Sequence, residues 1–263
     1  MNKVEFGKLD KLEYGINEAY KTLRTNLSFC GDDIKVILLT SCTPNEGKST
    51  VLIRLSQALA EDNKKVIIID ADLRKSVLIG RHGITGEKDI KGLSHYLSGQ
   101  AALEDVICET DIDGMFAIFA GPVTPNPTEL LGNKYFNRMI EMLRGLFDYI
   151  IIDAPPLGSV IDAAVITKVC DGAILVIENN VISYKFAQDV KKQLEMTDCK
   201  ILGAILNKVD TSKKGYYRGY GGYYKGYYRK RYYGGYGSKY GYYGKYEKYG
   251  EYGNPEQDGD KDN

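Results

Sequence analysis

The chain has 263 residues, long for one ordinary domain and short for two, with 22 tyrosines, no tryptophan and equal numbers of basic and acidic side chains. That zero net charge is a cancellation, because residues 1–210 sum to −5, residues 211–253 to +8 and residues 254–263 to −3. No apolar run approaches the roughly 20 residues of a membrane span and the opening MNKVEFGKLDKLEYG has no signal-peptide core, so a cytoplasmic protein is expected. The five cysteines show no C-x-x-C spacing, which points away from a disulfide framework or zinc site and toward reduced core residues.

In chain order, residues 1–33 contain one predicted helix, GINEAYKTLRTNLSF, whose plainest reading is packing at a sheet edge. IKVILLTS (34–41), KVIIID (65–70), MFAIFA (115–120), DYIIID (148–153), GAILVIE (172–178) and KILGAILNK (200–208) are nearly unbroken apolar runs, as expected of strands covered on both faces. Residues 48–61, 128–146, 158–169 and 184–196 have helical length and spacing. Regular alternation of the two predicts an α/β fold with a doubly wound, mostly parallel sheet. Residues 211–253 are about two-thirds Tyr or Gly, with few aliphatic side chains to build a core, so disorder is expected from there to residue 263.

Directly after the first apolar run comes CTPNEGKST (42–50), followed by a helix pattern. In a P-loop the glycine before the lysine lets backbone N–H groups turn to phosphate, the lysine reaches the β and γ phosphates, and the next hydroxyl binds Mg²⁺. Gly47, Lys48 and Ser49 fill those roles, Thr50 adjoins them, and Cys42 stands where the first glycine of the pattern is missing. IIIDADLR puts Asp70 and Asp72, and YIIIDAPP puts Asp153, at strand carboxyl ends, where doubly wound sheets open onto ligands. Each aspartate alone reads as a cap or turn residue. Together with a phosphate loop, the three make the equipment of phosphoryl transfer.

With these motifs the chain resembles the bacterial tyrosine kinases (BY-kinases) of capsule and exopolysaccharide assembly, of the cytoplasmic type that works with a separate membrane activator. SCTPNEGKST resembles the family's Walker A, IIIDADLRK its Walker A′, YIIIDAPPLGSVIDA its Walker B, and GPVTPNPTELLGNKYF its P-N-P-x-E-L-L segment. The resemblance implies a P-loop NTPase fold with deviant Walker motifs, ATP and Mg²⁺ as cofactors, and a phosphate loop formed by Cys42, Thr43, Pro44, Asn45, Glu46 and Gly47 with Lys48, Ser49 and Thr50. It further implies that Lys48 holds the phosphates, that Ser49, Asp72 and Asp153 order the metal, and that Asp70 accepts or orients the acceptor phenol's proton. Asn207 and Lys208 would lie near the nucleobase, or else simply end the last strand. Glu18, Lys21 and Arg24 match the family's E-x-x-R-x-x-R ring-assembly motif, with lysine replacing the first arginine and unable to make the same forked pair.

On this resemblance the chain divides into an oligomerisation segment (1–33), a kinase domain (34–210) and an autophosphorylation tail (211–263). The tail tyrosines are Tyr216, Tyr217, Tyr220, Tyr223, Tyr224, Tyr227, Tyr228, Tyr232, Tyr233, Tyr236, Tyr240, Tyr242, Tyr243, Tyr246, Tyr249 and Tyr252. The implied partners are a membrane activator that holds the protein at the inner face of the membrane, a tyrosine phosphatase and further copies in a ring, with no nucleic acid. Two other readings remain at this point. One is a partitioning or cell-division ATPase of the same fold; those relatives carry a signature lysine where this chain has Thr43. The other is a nucleic-acid binder using the basic, aromatic tail.

Overall fold

The computed structural model describes residues 2–7, 9–86 and 89–210, so the tail and its tyrosines lie outside the described residues. Met1–Val209 is one compact unit. It opens with β1 (Asn2–Phe6), α1 (Tyr14–Ser28), β2 (Val36–Ser41), α2 (Lys48–Ala60), β3 (Val66–Asp70), α3 (Leu78–His82) and β4 (Ile84–Gly86). Then come α4 (Leu93–Leu97), α5 (Leu103–Val106), β5 (Cys108–Thr110), β6 (Met115–Ile118), α6 (Pro127–Leu131), α7 (Lys134–Arg144) and β7 (Tyr149–Asp153). It closes with α8 (Asp162–Ile166), β8 (Gly172–Glu178), α9 (Tyr184–Glu195) and β9 (Ile201–Asn207).

The nine strands form one sheet in the order β4-β1-β5-β6-β3-β7-β2-β8-β9. From β6 to β9 every neighbouring pair is parallel, and these six are the apolar runs expected from the sequence. Successive side chains of a strand point to opposite faces, so each run feeds two cores. Val36, Leu38, Ile150 and Ile152 face the cluster that holds Phe136 and Ile140 of α7 and Leu194 of α9. Ile37, Leu39 and Ile151 face the cluster that holds Leu52, Leu55 and Leu59 of α2. Each such isoleucine or leucine contributes about 1.5–3 kcal/mol by burial, and the doubly covered centre fixes β2, and with it the loop that follows, as a rigid base.

The structure departs from the sequence expectation at three places. Ahead of α1 lies a strand, β1, whose Val4 and Phe6 turn into the core while Lys3 and Glu5 face out. It pairs antiparallel with β4 and parallel with β5, and β5 runs antiparallel to β6, so one edge of the sheet is mixed. The single helix expected over 128–146 is two, because Asn133 interrupts it and caps α7 by accepting the Tyr135 N–H at 3.1 Å. Among the described residues no helix is long and apolar enough to cross a membrane.

Candidate active site

β2 ends at Ser41 and the chain turns through Cys42–Gly47 into α2, whose first-turn N–H groups have no intrahelical partner and face the loop's interior. Two residues take left-handed backbone, Asn45 at φ 68° and Gly47 at φ 90°. Glycine is required at 47, since a Cβ there would stand 2.2 Å from Asn207 Nδ2. The loop is braced from behind by Glu46, which is fully buried. Its carboxylate accepts the Thr43 N–H, the Thr43 hydroxyl at 3.0 Å and the Glu178 N–H at 2.9 Å. From the end of β9, Asn207 Nδ2 donates to the Glu46 carbonyl at 2.9 Å. Lys208 Nζ donates to the Asn45 carbonyl and pairs with Glu178, both at 2.8 Å.

Lys48 turns inward and donates to Ser41 Oγ at 3.1 Å. Burial lowers its pKa, opposed by the charges of Asp153, Asp72 and Glu46. Facing it are the ends of β3 and β7, whose register sets Asp70 beside Asp153. Ser49 Oγ donates to Asp153 Oδ2 at 2.6 Å. The other oxygen, Asp153 Oδ1, is buried without a hydrogen-bond partner among the described residues. Asp70 accepts from the Ser76 hydroxyl and, at 3.2 Å, from the Asp72 N–H. Burial raises the pKa of both buried carboxyls, Asp70 the more because Asp153 adds like charge, while Lys48 and the Ser49 bond hold Asp153 down. Ser49, Asp72 and Asp153 thus offer oxygen donors of the type a hard divalent cation takes.

These groups border a cleft of about 240 Å³. Of the residues expected at the site, Pro44, Asn45, Gly47, Lys48 and Ser49 line it from the loop, and Asp70, Asp72 and Asp153 from the sheet. Six others stand outside the lining: Cys42 and Glu46 are buried beneath the loop, Asn207 and Lys208 brace it, and Thr43 and Thr50 complete the set. Thr43 and Thr50 are half-buried, Thr43 spending its N–H and hydroxyl on Glu46. Of the assembly residues, Glu18 and Lys21 pair with each other at 2.8 Å on the surface of α1. Arg24 is engaged within the protomer, donating to the Ala58 carbonyl at 2.9 Å and lying 3.6 Å from Asp62.

The sequence leaves Arg74 open between a phosphate or subunit contact and a solvated turn, leaves Asp162 open between a position matched in the family and a local cap, and does not single out Arg81. Asp162 is 1% exposed and takes both arms of the Arg74 guanidinium, at 2.5 Å and 3.0 Å, while the Thr128 hydroxyl donates to it at 2.5 Å. Burial alone would raise the Asp162 pKa, but Arg74 and Thr128 overcome it and leave the carboxyl below its usual range. This knot ties the segment after β3 to α6 and α8, three stretches that are far apart in the chain. Arg81, on α3, reaches the rim of the cleft and donates to Asn45 Oδ1 at 3.1 Å.

Sheet order, phosphate loop and strand-end carboxylates together define a P-loop NTPase. The AAA domain family model matches residues 34–201. Over 206 residues, 78% of this chain and 89% of the relative, the sequence is 46% identical to the tyrosine-protein kinase CpsD of Streptococcus agalactiae. The kinase domain of the Escherichia coli tyrosine kinase ETK is similar at 30% identity and a TM-score of 0.67, covering 74% of this chain and 78% of that one. The septum site-determining protein MinD of Pyrococcus horikoshii, complexed with Mg-ADP, is more distant at 29% identity and a TM-score of 0.57, covering 68% and 72%. The chain belongs to the bacterial tyrosine-protein kinases, the family its motifs resemble, and its relation to MinD is one of shared fold.

Proposed function

We propose that this kinase moves the γ-phosphoryl group of ATP, in the presence of Mg²⁺, to the tyrosines between Tyr216 and Tyr252 of another copy, and so regulates capsular or exopolysaccharide polymerisation and export. The observation that carries the reading is the buried, unpartnered Asp153 Oδ1 beside the Ser49–Asp153 bond. A buried carboxylate oxygen without a partner costs on the order of 1–3 kcal/mol, and a bound cation offsets that cost. Bound Mg²⁺ would neutralise charge on the phosphate oxygens. Ser49, Asp72 and Asp153 are its proposed holders, and Lys48 and the loop from Cys42 to Thr50 hold the phosphates. The acceptor's phenolic oxygen forms a bond to the γ-phosphorus as the bond to the β,γ-bridging oxygen breaks, ADP leaves, and the phenolic proton passes to Asp70.

The reading extends to assembly. Glu18, Lys21 and Arg24 would join copies into a ring, a membrane co-polymerase would recruit and activate the kinase at the inner membrane face, and a tyrosine phosphatase would reverse the modification. Each phosphate adds about −1.5 to −2 charges, so roughly four or five phosphotyrosines cancel the +8 of residues 211–253. Accumulated phosphate then repels the tail from the acidic domain and loosens the assembly.

The test is incubation with labelled ATP and Mg²⁺, with and without the activator's cytoplasmic segment, comparing wild type, Lys48→Met and a chain ended after Asp210. Phosphotyrosine is expected in the tail-bearing wild type alone, with the shortened chain still able to label a supplied tail. Label on serine, or on tyrosines outside residues 216–252, would overturn the reading.

A further inference from the structure

Five cationic side chains line the cleft or adjoin the phosphate loop; three are already committed, and Lys75 has no side-chain partner among the described residues to fix where its charge stands. Lys48 sits in its depth against Ser41. Arg74 is neutralised by the buried Asp162, and Lys208 is paired with Glu178 outside the cleft. Arg81 differs from these. Among the described residues its guanidinium makes no ion pair, and its partner there is the neutral amide oxygen of Asn45 at 3.1 Å.

That one bond fixes where the charge stands. Arg81 belongs to α3, anchored by the buried Leu78, with the Arg81 N–H donating to the Val77 carbonyl at 2.8 Å and Gly83 closing the turn in left-handed backbone at φ 59°. Asn45 is itself held in left-handed backbone, a conformation asparagine tolerates better than most residues, with its carbonyl taken by Lys208. The Asn45 side chain therefore projects from a braced loop and holds Arg81 at the rim of the cleft that Lys48 and the aspartates also line. The Arg81 charge is close enough to lower the pKa of both Lys48 and Asp153, so its field enters the phosphate site. A guanidinium with one neutral partner keeps donors for an oxyanion, and its planar fork suits phosphate.

We infer that Arg81 is a catalytic residue supplied by the same protomer, binding the terminal phosphate of ATP and stabilising the charge that spreads over it during transfer, with Asn45 as its positioning residue. The inference rests on the ATP reading given above and adds a group that distinguishes ATP from ADP. Lys48 serves both nucleotides, whereas a cation at the rim meets the phosphate that ADP lacks. Arginines in this role accelerate phosphoryl transfer strongly in other P-loop enzymes.

The test is nucleotide binding by the full chain with Mg²⁺, comparing the β,γ-imido analogue of ATP with ADP, for wild type, Arg81→Ala, Arg81→Lys, Asn45→Ala and the rim control Lys75→Ala. Arg81→Ala is expected to weaken the triphosphate by about tenfold, the scale of a hydrogen bond to a charged group, and ADP by less than about twofold on the same scale. Arg81→Lys should recover part of the loss, Asn45→Ala should give a smaller loss of the same kind, and Lys75→Ala should leave the ratio unchanged. Because Arg81 is exposed, thermal unfolding of Arg81→Ala should match wild type. Equal weakening of both nucleotides, or no change in their ratio, would overturn the inference while wild type still labels its tail. A wild type that binds neither nucleotide would instead overturn the ATP reading beneath it.

Discussion

Asn207 and Glu46 stand 161 positions apart and meet across 2.9 Å, the asparagine amide donating to the glutamate's main-chain carbonyl. The last strand thereby holds the phosphate loop from behind, and the same amide occupies the space that forbids a side chain at Gly47. Asn207→Ala should weaken nucleotide binding by roughly three- to tenfold, the worth of one ordinary hydrogen bond, with little change in unfolding temperature. Gly47→Ala should be far worse, because it strains the φ of 90° and collides with Asn207 together. Equilibrium dialysis with labelled ATP distinguishes the two, and restored binding in Gly47→Ala/Asn207→Gly would identify the collision as the larger cause.

The Arg74–Asp162–Thr128 knot acts on the cleft through the loop that carries Asp72. Asp72 Oδ1 accepts the Arg74 N–H at 3.2 Å and the Lys75 N–H at 3.0 Å, so a fixed Arg74 fixes the carboxylate. Asp162→Ala leaves the guanidinium without its carboxylate and should cut the rate of tyrosine phosphorylation by about tenfold or more, at a stability cost on the order of 1–3 kcal/mol. Thr128→Val keeps the ionic fork and should cost less of both. A rate equal to wild type in Asp162→Ala, measured by phosphotyrosine accumulation, would remove the knot from the mechanism.

Much of this arrangement was legible in the sequence, for a physical reason. Strands buried on both faces must be apolar at every position, so β2, β3, β7 and β8 announce themselves, and the P-loop and its aspartates follow from local spacing. β1, β4 and β5 escaped because they are short: Ile84–Gly86 and Cys108–Thr110 have three residues each, and NKVEF buries two side chains. Their pairing with one another is non-local. Glu46 reads in sequence as a loop residue facing ligand, yet its carboxylate accepts the N–H of Glu178 at the end of β8. Arg74 and Asp162 meet 88 positions apart, a contact that no local pattern encodes. For Arg81 the available signal was a basic residue soon after the A′ aspartates, too common to single out.

Lys21 departs from the arginine of the ring-assembly pattern, and in this chain it is half-exposed and paired with Glu18 three residues earlier. Such a surface pair contributes little to stability, so Lys21→Ala should scarcely move the unfolding temperature. Lys21→Arg restores a fork able to grip a carboxylate of a neighbouring copy. Sedimentation is expected to show Lys21→Arg associating more strongly than wild type, and Glu18→Ala less. Identical profiles for all three would exclude α1 from the assembly.

Asp171 supplies a pH dependence that lies outside the cleft. Its carboxylate receives the Lys35 and Val36 N–H groups at 2.9 and 2.7 Å and two Arg144 nitrogens at 2.9 and 2.8 Å, joining the starts of β2 and β8 to the end of α7. Burial raises its pKa, but Arg144 and the two backbone donors prevail and hold it below the usual carboxylate range. A group whose folded pKa is depressed adds stability that is complete above its unfolded value, about 3.9, and is lost as pH falls through the folded value. Asp171→Asn should therefore lower stability by about 2 kcal/mol at pH 7 and converge on wild type at an acid pH below the depressed folded value. Urea titrations at the two pH values measure this, and a constant gap between the curves would show that the charge is not what matters.

Asp153 should show the opposite balance between stability and function. Its side chain is 4% exposed, one oxygen is bonded to Ser49 and the other is unpartnered, beside a second buried carboxyl at Asp70. A group serving only the fold would not be kept in that state, since removing its charge relieves both desolvation and like-charge repulsion. Asp153→Asn preserves the shape and an acceptor for Ser49, so without ligand the variant is expected to unfold a few degrees above wild type, about 2–4 °C per kcal/mol gained in a domain of this size. Mg²⁺ with nucleotide should raise the wild-type midpoint, as any ligand that prefers the folded state does, and leave the variant's unmoved. Calorimetric scans with and without Mg²⁺ and the imido analogue separate the two effects. A variant that is destabilised without ligand and still stabilised by Mg²⁺ with nucleotide would show that Asp153 belongs to the scaffold and that the cation is held elsewhere.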